Sequence, residues 1–400
     1  MMKLSTNIET LFGNPVTDQL VDEILDNQTV NHNSVILTVV HEPVYPEAWK
    51  FKLDDLVDKL HKKIPNIKIT LVLNTWFKNF NELQPTSKYT IVYIDYYLLS
   101  VYYRVFELGV STPAASWDST NNSFLFLTGK PDKPNRVRLL YKFKQAGLLT
   151  HATWSLFKSE QALDRTRKLL PELTDNEVLD FLEFHYNNPD DIELVNNDGA
   201  ASVHYGGTPF STKMYQRSLF QVFPETGYAD PGYPYLTEKT YLPIINKRPF
   251  IAAGQDSILS VISKMGFRTF DPYLKVSYDN VIDDELRLDT IVQNTSHWLS
   301  HLREYSTQVN NDVEHNFRRF VELAKENIQT VESIAQSIDS TAKYMDIINF
   351  VDPDQYATWS YWYDRVRDPS WPDCPTEEDF TKLPDWIQKE CIELHGYNPS

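Results

Sequence analysis

Three short runs in the first hundred residues constrain the fold more than any other feature: "SVILTVV" (34–40), "IKITLVLN" (67–74) and "YTIVYID" (89–95). Each has strand length, and each is apolar with little alternation. A strand with two apolar faces needs cover on both, which a sheet with one face in water does not provide. The intervening sequence supplies that cover. "KLDDLVDKLHKKI" places Leu53, Leu56, Val57, Leu60 and Ile64 at helical spacing, and "YYLLSVYYRVFELG" predicts a helix stopping at Gly109. Buried strands alternating with helices predict a parallel α/β sheet.

The pattern breaks and then restarts. Residues 111–123, "STPAASWDSTNNS", carry no periodicity and read as an interdomain linker. A strand follows at Phe124–Leu127, then a helix with Val137, Leu140 and Phe143 on one side. "LTDNEVLDFLEFHY" reads as a capped helix, and the polar stretch up to Gly206-Gly207 as a long loop. "SLFQVFPETG" predicts a strand ending in Glu225 and Thr226. Next come a helix opening at Glu238, a strand "RPFIAAG", a helix from about Ser257 and a short strand "FRTFD". Long helices occupy the region beyond 290.

Four hundred residues exceed what one core usually serves. The expected class is α/β, with two Rossmann-like lobes and a helical C-terminal extension. The lobes span 1–118 and 123–290, bracing helices 291–350, and a tail module 351–400. That tail holds four of the nine tryptophans and eleven acids against four bases. Its acidity opposes a phosphate backbone, so it is expected to pack on the protein or a protein partner.

Charge and cysteine narrow the classes. A net charge of −17, from 55 acids and 38 bases, disfavours non-specific binding to nucleic acid or anionic lipid. The two cysteines, Cys374 and Cys391, form neither a disulfide framework nor a zinc spacing. The first residues lack a signal-like apolar run, and no stretch approaches the roughly 20 apolar residues that cross a bilayer. A cytoplasmic protein without a membrane partner is expected.

Ligands of open parallel sheets sit beyond the carboxyl ends of the strands. In the first half those ends present His41 and Glu42, Asn74 to Phe77, and Asp95 with Tyr96. A histidine or carboxylate facing a cleft can deprotonate a hydroxyl, so His41 and Glu42 are the candidate bases. Equally, Glu42 can cap a helix and His41 can pack. In the second half, "TGKPDKPNR" is no Walker loop. It still brings Gly129, Lys130, Arg136 and, one residue beyond Val137, Arg138 to a helix entrance, where backbone N–H groups favour an anion. The competing reading is a solvated basic helix start. Glu225 and Thr226 end the next strand, and Glu238-Lys239 lie just beyond. A carboxylate there can accept sugar hydroxyls while the lysine neutralises a diphosphate. Alternatively, Glu238 only complements its own helix dipole. Asp352 and Asp354 outline a metal-binding pair, but they sit at a helix-to-tail junction and no metal site is expected.

The strand ending in Glu-Thr, the "TEK" opening a helix, "PI…RPFI" and "GFRTF" together resemble the donor-binding half of GT-B glycosyltransferases, closest to the fucosyltransferase-like and exostosin-like groups. "GFRTFD…SYD" is similar to stretches in phage-encoded proteins of that kind, which would place the chain in a host cytoplasm. The resemblance covers roughly 123–290; residues 1–110 match only a generic α/β pattern. It implies sugar transfer from a UDP- or GDP-linked donor to a hydroxyl of a glycan, protein or modified DNA base, without bound metal or other cofactor. Glu238 would hold ribose or sugar hydroxyls. Lys239, with Lys130 or Arg136, would hold the diphosphate, and Glu42 or His41 would be the acceptor base. Two other readings stand beside it. One is a transferase acting on modified bases of phage DNA, needing a basic groove from Lys50, Lys52, Lys59, Lys62, Lys63 and Lys68. The other is a non-catalytic interaction or structural protein on a degenerate scaffold.

Overall fold

In the computed structural model the described residues are 5–7, 16–27, 34–39, 46–74, 86–107, 123–128, 134–155, 162–186, 212–225, 234–337, 340, 343–344 and 347–348. The first part of the chain runs β1 (Ser5–Asn7), α1 (Asp18–Asn27), β2 (Ser34–Val39), α2 (Pro46–Lys63), β3 (Lys68–Asn74), β4 (Thr90–Ile94) and α3 (Tyr96–Tyr102). α3 passes directly into a π-helical segment, Tyr103–Glu107. The four strands form one parallel sheet in the order β1-β2-β3-β4. The apolar runs behave as their composition demands. β2 is buried from Val35 to Val39, and Leu53, Leu56, Val57 and Leu60 of α2 lose all contact with water.

A second parallel sheet follows, in the order β6-β5-β7-β8. Its elements are β5 (Phe124–Leu127), α4 (Pro134–Gln145), β6 (Ala152–Ser155), α5 (Ala162–Leu169), α6 (Asp175–Tyr186), α7 (Thr212–Arg217), β7 (Phe220–Pro224), α8 (Glu238–Ile245), β8 (Phe250–Ala253) and α9 (Ile258–Lys264). Val137, Leu140 and Phe143 of α4 are buried, as their spacing predicts. Thr174 and Glu177 bond reciprocally at the head of α6, a capping box that starts the helix. Two long helices follow, α10 (Asp284–His301) and α11 (Ser306–Gln336).

The two sheets differ in a way that matters for a site. The first adds strands in one direction. The second places β6 on one side of β5 and β7 on the other, so the chain reverses direction between β5 and β7. In open parallel sheets such a reversal marks where a crevice forms, at the carboxyl ends of the two strands. Among the described strands the first sheet has no such reversal.

One element departs from expectation. "FRTFD" is not a strand: Phe267–Phe270 is irregular and leads into a 3-10 turn at Asp271–Tyr273. Phe270 takes φ 60° and Gly266 φ 92°, which breaks the extended run at both ends. The hydrogen bonds of a neighbouring strand are replaced by one side chain. Asn316 of α11 accepts from the Arg268 N–H at 2.7 Å and donates to the Arg268 carbonyl at 2.9 Å. The sequence reading leaves β1, α1, β6, α5 and α7 unassigned, although α1 has the spacing of an amphipathic helix, with Val21 and Ile24 buried.

The sheets meet through helices. α8 packs against α3 and α11, and α11 also reaches β4. Gly254 follows β8, and a Cβ there would run into the Ile258 side chain.

Candidate functional site

The crevice between β5 and β7 is built from the ends of four segments. β5 ends in Thr128, which is buried; its N–H donates to the Ser155 carbonyl at 3.2 Å, and its Oγ1 finds no hydrogen-bond partner. The first turn of α4 brings Asn135 and Arg136, both buried, and Asn135 Nδ2 donates to the Glu225 carbonyl at 3.2 Å. That bond fixes the head of α4 against the end of β7. The fourth segment is the N-terminus of α8.

Thr237 is the N-cap of α8 and carries three bonds through one hydroxyl. Its Oγ1 donates to Glu225 Oε2 at 2.6 Å and accepts from the Lys239 backbone N–H at 3.4 Å and from Lys239 Nζ at 3.3 Å. Glu225 Oε1 accepts from the Thr237 N–H at 3.0 Å and from Thr240 Oγ1 at 2.6 Å. Glu225 therefore caps the helix that follows its strand, and its two oxygens are engaged by α8. Lys239 Nζ lies 2.7 Å from Glu238 Oε1, with side chains only 4 % and 7 % exposed. This is a buried ion pair, not the surface pair that two adjacent charges usually make.

Beneath α8 lies a second polar group. Tyr215 and Gln221 are buried, and neither the Tyr215 hydroxyl nor the two amide atoms of Gln221 reach hydrogen-bond geometry. Burial drives the Tyr215 pKa far up; the Gln221 amide and the Arg248 guanidinium act against that, and the Glu238 carboxylate adds to it. Buried polar atoms of this kind are ordinarily completed by ordered water.

The predicted site residues divide into three groups. Arg136, Glu225, Glu238 and Lys239 are buried at or beside the carboxyl end of β7, around the heads of α4 and α8. Arg138 is turned the other way. It pairs with Glu285 of α10, lies 3.6 Å from Glu172, and donates from Nε to the Leu169 carbonyl at 3.1 Å. Its role here is to clasp α4 to α10, helped by Lys142 on Asp289 at 2.6 Å. His41, Glu42, Gly129, Lys130 and Thr226 lie outside the described residues, as do Asp352, Asp354 and the tail. Of the lysines proposed for a DNA groove, Lys59 pairs with Asp55 at 3.3 Å and Lys63 with Asp22.

Asp95, at the end of β4, has a defined duty. Its carboxylate caps α3 by accepting from the Leu98 N–H at 3.0 Å, and it also accepts from the Tyr241 hydroxyl of α8. Thr128, Asn135, Thr237 and Thr240 were not singled out by sequence reasoning. Thr237 was the findable one: a threonine before an acidic first turn is an N-cap signature.

Among the described residues no group of three or more His, Cys, Asp or Glu side chains is placed to hold a metal ion. Among them, too, no helix is long and apolar enough to cross a membrane. No protein-family model matches the sequence, and no curated protein matches it either.

Proposed function

We propose that this chain is a metal-independent glycosyltransferase moving a sugar from a nucleotide-diphosphate sugar to a hydroxyl acceptor. The observation that carries the reading is the crevice between β5 and β7. A buried Thr128 hydroxyl without a hydrogen-bond partner ends β5, while the head of α4 with Arg136 and the head of α8 with Lys239 are tied to the end of β7. Two helix N-termini and two cations at one strand-order reversal form a place for a diphosphate. In this reading Arg136 and Lys239 offset the charge that develops on the departing diphosphate. Glu225 acts by holding Thr237 and Thr240, and so by aiming α8. Glu238 accepts donor hydroxyls once Lys239 turns to phosphate. The acceptor hydroxyl is deprotonated by Glu42 or His41.

A panel of UDP- and GDP-linked sugars, assayed for release of free nucleoside diphosphate with and without hydroxyl acceptors, tests it. Turnover is expected with one donor. Glu42→Gln or His41→Ala is expected to lower the rate about 10²- to 10⁴-fold, the usual contribution of a general base. If no donor is consumed, the chain is not this enzyme.

One observation favours a second reading, a non-catalytic binding or structural protein on the same scaffold. Glu225 is engaged by α8 at both oxygens, and Glu238 and Lys239 neutralise each other while buried. A network closed on itself is what a structural core requires. Partners for that reading include a protein bound through the acidic, Trp-rich tail. A transferase acting on modified bases of phage DNA is the narrower form of the first reading. It predicts label transfer to hydroxylated DNA.

A further inference from the structure

The turn that carries Thr237, Glu238 and Lys239 is bracketed by two tyrosines, and both reach across to the first sheet. On one side, the Tyr235 hydroxyl donates to the Tyr97 hydroxyl at 2.7 Å, with the rings edge-on at 5.7 Å. On the other, the Tyr241 hydroxyl donates to the Asp95 carboxylate. All four residues are buried. Their partners stand two positions apart at the start of α3, so one short stretch after β4 holds both ends of the turn. Asp95 is tied down in turn. Its carboxylate caps α3 through the Leu98 N–H, and its own N–H donates to Asn327 Oδ1 of α11 at 2.9 Å. None of these contacts belongs to the second sheet. Yet they set where the head of α8 stands, and Lys239 is only two residues from Tyr241 and four from Tyr235.

We propose that Tyr235 and Tyr241, with Tyr97 and Asp95, are positioning residues that hold the Thr237–Lys239 turn in its ligand-receiving place, so that occupancy of the β5–β7 crevice is felt at the head of α3. The proposal rests on the reading of that crevice as an anion site. Its physical basis is that buried hydroxyl bonds are discrete: a small shift of α8 lengthens both together, and each lost bond leaves a buried polar group without its partner. A ligand drawing Lys239 away from Glu238 moves the turn between the brackets. Binding and the α3 cap are then linked, and the linkage is reciprocal.

The test uses the full chain, with UDP and inorganic pyrophosphate as probes, and reads two quantities. Calorimetry gives affinity, and amide hydrogen exchange gives protection at Leu98 and Asp95, whose N–H groups report the cap and its tie to α11. Saturating probe is expected to change exchange at these two amides about fivefold or more. Tyr241→Phe and Tyr235→Phe are each expected to weaken probe binding about fivefold or more. Asp95→Asn keeps one oxygen to accept from the Leu98 N–H but sets an NH2 group where the Tyr241 hydroxyl donates, and is expected to weaken probe binding as Tyr241→Phe does. Exchange in the unmodified protein needs no variant, so a misfolded tyrosine variant does not remove the test. If a probe binds and neither exchange nor the tyrosine variants respond, the coupling is wrong while the anion site stands. If neither probe binds the unmodified protein, the anion site and the coupling fall together.

Discussion

Lys239 and Glu238 are adjacent in sequence, yet at the head of α8 they bury a full charge each and bond at 2.7 Å. Desolvation makes such a pair asymmetric: breaking it costs far more than replacing it. Lys239→Met alone is expected to lower stability by about 3–5 kcal/mol, because it removes the cation from a buried Glu238 carboxylate. The double variant Glu238→Gln/Lys239→Met is expected to stay within about 1 kcal/mol of the parent or to exceed it. Urea denaturation of both variants measures the difference, and equal losses would contradict the buried pair. His297 makes a second prediction at this scale. It stacks on His301 with ring centroids 4.5 Å apart, and its pKa falls below its ordinary 6.5, first through burial, then through His301 and Lys275. A histidine with a lower pKa folded than unfolded binds its proton more readily when unfolded. Acidification below about 6.5 therefore withdraws stability that is present in full at higher pH. His297→Gln is expected to flatten the pH dependence of the melting temperature in that range, and an unchanged profile would remove His297 as its source.

Among the elements, α11 does the most to organise the molecule. It is 31 residues long, packs on α8 and α3, and supplies the Asn316 amide that stands in for a strand beside Arg268. Asn316→Ala is expected to cost about 1–3 kcal/mol, the penalty for leaving buried backbone groups unpaired. Thermal denaturation checks this, and a neutral variant would mean that the 267–270 segment holds itself. This segment also shows where sequence reading fails. Phe267 and Phe270 are buried as apolar residues should be, but whether they lie in a strand depends on a side chain 48 positions away. β2 and β3 were legible because burial on both faces leaves an apolar run, and β4, only partly buried, was legible from its β-branched and aromatic run alone. α4 and α8 were legible from spacing and from an acidic first turn. β6, "ATWS", was not, since four residues with two polar ones carry no period. At the site, strand ends and helix heads picked out Arg136, Glu225, Glu238 and Lys239. Their partners could not be read, because charge alone does not reveal that Glu225 would take Thr237 and Thr240, or that Arg138 would turn to α10.

For the whole molecule, two parallel sheets are joined by buried tyrosine hydroxyls, an aspartate cap and one long helix, and only the second sheet reverses its strand order among the described residues. In the proposed reading the anion belongs to the second sheet, where Thr128 ends β5 and the heads of α4 and α8 are tied to the end of β7. The same reading leaves the acceptor side to the ends of the first sheet's strands. One titration tests the anion site most directly: UDP and GDP added to the full chain in a calorimeter, beside the Glu238→Gln/Lys239→Met double variant, which is expected to keep its fold. Saturable binding of one nucleotide to the parent, lost in the double variant and weakened in Arg136→Ala, is the predicted result. Absence of binding to the folded parent, or equal binding by the double variant, would contradict it.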